Sequence, residues 1–184
     1  EKDVVVLSGS LPSGVSDDIY QKWILVLKNL KVRVILDADG EALRLGIQAV
    51  PRAVKPNIYE WKRLFSQDNS IIAPLDIARM GALYAKKGVK YQMVSLGKNG
   101  AVLIDKEHAY YARPFHVDVV NTVGAGDAMT AALAMGIHDR SNSEQLLRIG
   151  SAYAIATVAS SQYESLTIAA ASEIAENLEI ETLY

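Results

Sequence analysis

An α/β fold, a mostly parallel sheet covered by helices, is what this sequence of 184 residues predicts. Three observations point there. Short strand-like runs alternate with longer stretches whose apolar residues recur at helical spacing. The run from Val4 to Leu7 is continuously apolar, as expected of a strand buried on both faces of a parallel sheet. Clusters of Gly, Pro, Asn and Ser follow the strands, where backbone must turn into a helix.

Each element follows in order. The first strand, 4–8, ends in the turn residues Gly9-Ser10-Leu11-Pro12-Ser13-Gly14. Ser16 can cap the next helix, with Asp17 and Asp18 in its first turn and Ile19, Trp23, Val26, Leu27 and Leu30 as its buried stripe. A second strand covers 32–36 and ends in Asp37, and a short helix over 41–47 precedes Pro51. Ala53-Val54 is a third strand. Pro56 keeps Lys55 extended, and Asn57 caps a helix through Leu64 and Phe65. Pro74 opens a helix reaching Lys86 and Lys87, closed by Gly88. Residues 91–96 and 101–105 read as strands joined by Gly97-Lys98-Asn99-Gly100, and 109–112 as a further strand. Helices from Gly124 to about Met135, from Ser143 to about Ser160 and from Ala169 to about Leu178 complete the chain. An antiparallel hairpin thus enters before the last helices. Without repeats, low-complexity segments or linkers, residues 1–184 read as one domain.

Composition excludes several classes. A net charge of −2 with 22% charged residues gives no reason to expect nucleic acid or an anionic membrane as partner. The absence of cysteine removes disulfides and thiolate zinc sites. His108, His116 and His138 are scattered without ligand spacing. No apolar run has the length of a membrane span and no signal peptide is visible, so a cytoplasmic location is expected. The chain starts at Glu1 and enters a strand almost at once, which reads as a cut through a longer protein.

The densest chemistry lies at Asn121-Thr122-Val123-Gly124-Ala125-Gly126-Asp127-Ala128-Met129-Thr130. Small residues place bare backbone N–H groups at the mouth of an Ala-rich helix, where unpaired donors and the positive dipole end suit a phosphoryl group. Asp127 follows where it could take a proton from an attacking hydroxyl. The bland alternative is a tight loop with an ordinary first-turn acid. Neither a P-loop nor G-x-G-x-x-G fits, since Met129 stands at the third glycine position.

Companion motifs fall at strand ends, where open α/β sheets bind ligands. In Lys55-Pro56-Asn57-Ile58-Tyr59-Glu60, an amide oxygen and a carboxylate suit Mg²⁺, although Asn-x-x-Glu is equally a capping box and Lys55 equally a solvated strand-end lysine. In Ser95-Leu96-Gly97-Lys98-Asn99-Gly100, glycines let backbone approach a nucleotide and Ser95 can donate to phosphate or ribose, although a hairpin turn explains the pattern too. Gly9-Ser10-Leu11-Pro12-Ser13-Gly14-Val15 is a strand-to-helix loop with exposed backbone donors.

Together these stretches resemble the PfkB/ribokinase-like carbohydrate kinases, densest at 121–134 and extending from Val4 to about Ser160. G-S-L-P-x-G-V and K-P-N-x-x-E are similar to the phosphofructokinase and tagatose-6-phosphate kinase branch. The resemblance implies a ribokinase-like α/β fold and transfer of the ATP γ-phosphoryl to a hydroxyl of a fructose-1-phosphate, fructose-6-phosphate or tagatose-6-phosphate type acceptor. It implies Asp127 as general base, with Gly124, Ala125 and Gly126 forming an anion hole. Lys55 would reach the phosphates, Ser95, Gly97, Gly100 and Asn121 would line the ATP site, and Asn57 and Glu60 would hold Mg²⁺, partly through water. Gly9 and Ser10 would lie on the acceptor side.

The resemblance also sets departures. The family's first strands, its Gly-Gly signature, its substrate-binding Asp and its β lid have no counterpart, so the chain reads as a C-terminal portion that by itself is inactive. Residues 160–165 lack the family's Ala/Gly-rich pattern near adenine, and Asn121 replaces a frequent Asp. A cut sheet edge and an exposed apolar face would favour self-association, as a homo-oligomer, or a partner. The rival readings are a non-catalytic nucleotide-binding module of the same fold and a kinase of a nucleoside or vitamin-like alcohol.

Overall fold

The computed structural model describes residues 3–66, 72–160 and 168–184. Its strands are β1 (Val4–Ser8), β2 (Arg33–Asp37), β3 (Ala53–Val54), β4 (Tyr91–Ser95), β5 (Ala101–Ile104), β6 (Ala109–Ala112) and β7 (Ile180–Thr182). Its helices are α1 (Ile19–Asn29), α2 (Gly40–Gly46), α3 (Ile58–Leu64), α4 (Pro74–Lys86), α5 (Ala125–His138), α6 (Ser143–Ala159) and α7 (Ile168–Asn177). The strands form one sheet in chain order, β1-β2-β3-β4-β5-β6-β7. Pairing is parallel from β1 to β4 and antiparallel from β4 to β7.

The period-2 alternation of each strand sorts its side chains between two apolar layers. Val34, Leu36, Val54, Val94 and Val102 face one way and pack with Ile24, Leu43, Trp61 and Ile77 from α1 to α4. Ile35, Ala53, Met93 and Leu103 face the other way and pack with Met129, Leu133 and Leu146 from α5 and α6. Helices therefore cover both faces, and the ends of β1 to β4 open on one edge.

The α/β class, the parallel first half and the β4–β5 hairpin agree with expectation. Four details differ. α1 starts at Ile19 rather than at a Ser16 cap, because the Ser16 hydroxyl donates to Asp18 instead of capping the helix. The buried face of α1 is Tyr20 and Ile24, with Ile19 and Leu27 half-buried, whereas Trp23, Val26 and Leu30 are 49%, 58% and 68% exposed. The helix is apolar on two sides, so spacing alone admits either face. Tyr20 settles it, since its hydroxyl donates to the carbonyls of Ser8 (2.9 Å) and Gly9 (3.1 Å).

β1 is also not buried on both faces; among its residues only Leu7 is buried, because β1 is a sheet edge. Finally, β7 adds a third antiparallel pairing to the hairpin. Only three residues form it, too few to show a period.

Candidate active site

The parallel strands bring the motif residues to one edge in order. After β1, the Gly9 amide donates to the carbonyl of Asp37 (3.0 Å), which sets the exposed Gly9 and Ser10 beside the end of β2. After β3, the Lys55 amide donates to Leu36 O (3.1 Å). Asn57 then bridges to Ser95 at the end of β4, whose amide donates to Pro56 O (3.1 Å).

α5 presents its N-terminus at this edge. Gly124 stands at its N-cap with φ 82°, a left-handed conformation that glycine adopts without strain, and no side chain caps the helix. The first turn closes with the Ala128 amide donating to Gly124 O (2.8 Å), so the amides ahead of it point out of the helix end. Asp127 is exposed in that turn. Asn121 shapes the approach: its side-chain oxygen accepts from the Val123 amide (3.0 Å), and its own amide donates to Val158 O (3.2 Å) on α6.

Lys55 is not a solvated lysine. It is 5% exposed, and its Nζ pairs with Asp37 Oδ1 at 3.2 Å. Nζ also lies 3.5 Å from where a Cβ on Gly126 would stand, so the ammonium sits against the α5 mouth. The lysine, paired with Asp37, and the positive end of the helix dipole thus meet at the α5 mouth, an arrangement that could receive an anion. Asp37 was missed in the sequence. Its signal was a carboxylate following the apolar run Val34-Ile35-Leu36 at the ligand edge.

Asn57 and Glu60 form a complete capping box. Asn57 Oδ1 accepts from the amides of Tyr59 (2.9 Å) and Glu60 (3.0 Å), while the Glu60 carboxylate accepts from the Asn57 amide (2.7 Å) and Asn57 Nδ2 (2.7 Å). Both lone pairs of Asn57 Oδ1 are therefore engaged, whereas each Glu60 oxygen keeps acceptor capacity. Burial pushes the Glu60 carboxyl above its ordinary value, against the Asn57 amide and the Lys55 charge that lower it. The donor set fits Mg²⁺ held through water by Glu60, and does not fit Asn57 as a direct ligand. Among the described residues, no three His, Asp or Glu side chains gather as a metal cluster.

Ser95 is half-buried beside Asn57. In the turn after it, Gly97 has φ 60° and open space around its Cα, whereas a Cβ on Gly100 would lie 2.0 Å from Ala112 O. Gly100 therefore closes the β4–β5 hairpin onto β6. Residues 161–165, where contacts with adenine were in question, lie outside the described residues.

The fold and this edge define a ribokinase-like α/β protein; ribokinase from Thermotoga maritima superposes with a TM-score of 0.69 over 95% of this chain and 57% of that one, at 22% identity. Residues 1–168 match the family of pfkB family carbohydrate kinases, and the chain belongs to that family. It is 36% identical over 159 residues to 1-phosphofructokinase of Escherichia coli K12, covering 86% of this chain and 50% of the relative. The 1-phosphofructokinase of Bacillus subtilis is 34% identical over 150 residues, 82% of this chain and 49% of the relative. Phosphofructokinase-2 from Escherichia coli, solved with fructose-6-phosphate, has a TM-score of 0.84 at 28% identity, over 95% of this chain and 56% of that one. The same enzyme has been solved as a tetrameric inhibited form. The chain spans about half the length of the curated relatives it matches.

Proposed function

We propose that the protein carrying this chain transfers the γ-phosphoryl of ATP to a hydroxyl of a sugar phosphate of the fructose-1-phosphate, fructose-6-phosphate or tagatose-6-phosphate type. The observation that carries the reading is the convergence of Lys55 Nζ and the uncapped mouth of α5 beside an exposed carboxylate, Asp127. Residues 1–184 supply the nucleotide and catalytic part of one ribokinase-like domain, and Gly9 and Ser10 face the acceptor.

Phosphoryl transfer needs positioning and charge stabilisation more than covalent help. The amides of Gly124, Ala125 and Gly126 hold the γ-phosphate oxygens, each well-placed donor worth roughly 2.7–4 kcal/mol in the transition state. Lys55 offsets part of their negative charge. Asp127 orients the acceptor hydroxyl and receives its proton as the new O–P bond forms and ADP leaves. Mg²⁺, when bound near Glu60, would neutralise charge on the β- and γ-phosphates. Ser95 and the Gly97 turn support the nucleotide, and Asn121 holds the loop before Gly124.

The exposed apolar edge at β1 and α1 suits a homo-oligomer. Among the described residues, no helix is long and apolar enough to cross a membrane.

The test is a coupled ADP-release assay of the complete natural polypeptide against the three sugar phosphates, free sugars and nucleosides. Turnover with a sugar phosphate is the expected result. Magnesium-nucleotide binding without turnover on any acceptor would replace the proposal with a non-catalytic nucleotide-binding module.

A further inference from the structure

Thr130 lies one turn into α5 and is 4% exposed. A threonine within a helix ordinarily satisfies its hydroxyl on the carbonyl four residues back, and here Gly126 O is 3.0 Å from Oγ1. Oγ1 is nearer still to another element: it donates to Asp37 Oδ2 at the end of β2, at 2.6 Å. The second oxygen of that carboxylate, Oδ1, holds Lys55 Nζ at 3.2 Å. Lys55 Nζ returns to the α5 mouth, 3.5 Å from where a Cβ on Gly126 would stand. Thr130, Asp37 and Lys55 thus form a ring of contacts, closed by the α5 backbone between Gly126 and Thr130, that ties the α5 mouth to β2 and β3.

The chemistry of each member gives the ring a purpose. A lysine ammonium is a compact point charge on a flexible stem, so its direction must come from a partner. Asp37 is that partner, but a carboxylate held by one oxygen can swing about its own side chain. A charge-assisted O–H···O⁻ bond on the other oxygen removes that freedom. We propose that Thr130 is a positioning residue: its hydroxyl pins the Asp37 carboxylate, which in turn aims Lys55 at the loop 124–126. The aim of Lys55 bears on phosphoryl transfer, so the kinetic half of this inference rests on the kinase reading above.

Thr130→Val keeps the shape of the side chain and removes the hydroxyl. In the complete natural polypeptide, kcat of Thr130→Val falls roughly tenfold or more, with the KM for the acceptor unchanged, because a misplaced group costs rate before binding. Thr130→Ser restores kcat. A purely structural threonine would instead lower the melting temperature and leave kcat per folded molecule alone. Wild-type kcat in Thr130→Val, or a serine variant as slow as the valine one, overturns the proposal.

A crystal structure of Thr130→Val reads the same claim without turnover. Lys55 Nζ displaced from Asp37 and Gly126 supports it, and an unmoved Lys55 sinks it. If the valine variant does not fold, Thr130→Ala serves for both measurements. Absence of phosphotransfer in the wild type would defeat the kinase reading only, since the crystallographic arm still decides the ring.

Discussion

At the scale of single residues, the proposed chemistry turns on two charges. Asp127 is exposed in the first turn of α5 and free to meet a hydroxyl arriving from solvent. Asp127→Asn is expected to lower kcat by about 10²–10⁴ while nucleotide affinity, measured by calorimetry, stays close to wild type. Near-normal turnover would remove Asp127 as the base. Lys55 is different, because its 3.2 Å pair with Asp37 is 6% and 15% exposed on its two sides. Lys55→Met strands a carboxylate in a dry setting, at a cost of about 3–5 kcal/mol. Urea unfolding checks the stability, and the Lys55→Met, Asp37→Asn double variant should recover part of it. Glu60→Gln keeps an acceptor for the Asn57 amide but loses the charge that would hold hydrated Mg²⁺. A raised magnesium requirement is the expected outcome, with a slightly lowered melting temperature because the Gln NH2 would face the donor Asn57 Nδ2; an unchanged requirement would leave the pair a capping box only.

At the scale of elements, local chemistry and packing separate cleanly. β1, β3 and the start of α4 were legible because turn residues bound them closely: Gly9, Lys55-Pro56 and Pro74 stop or start the chain whatever lies around them. The face of α1 was not legible. Trp23, Val26 and Leu30 match a helical stripe as well as Tyr20, Ile24 and Leu27 do, and only packing against β2 and α2, with the Tyr20 hydroxyl on the end of β1, selects the second set. The Asn57 box was legible as a spacing but not as a choice between cap and metal, since both uses ask for the same two residues. Gly100 makes the hairpin the most brittle element: Gly100→Ala sets φ 90° against a Cβ 2.0 Å from Ala112 O. About 1–3 kcal/mol of strain is expected from the backbone alone, with the clash added. A melting temperature equal to wild type would mean that the turn can be rebuilt.

At the scale of the whole molecule, the sheet is unevenly covered. β7 ends one side with three residues, but β1 ends the other with five and only Leu7 buried. Beside it, α1 turns Trp23, Leu25, Val26 and Leu30 to solvent, each about half exposed or more. An unpaired strand edge next to apolar side chains is a template for association. The 184-residue chain produced alone should therefore run larger than a monomer in size exclusion with light scattering, and Trp23→Lys with Val26→Lys should shift it toward monomer. A monodisperse monomer from the unmodified chain would show that this face tolerates water.

The amino-acid order by itself determined the alternation of strand and helix, the glycine-lined mouth of α5 and the placement of each motif just past a strand, because turn chemistry and periodicity act over a few residues. Only the tertiary structure decided that Lys55 is buried against Asp37, that Thr130 reaches across to that carboxylate from 93 positions away in the chain, and which side of α1 meets the sheet. Those are outcomes of packing between distant segments, and a contact between distant segments leaves no period in the chain that makes it.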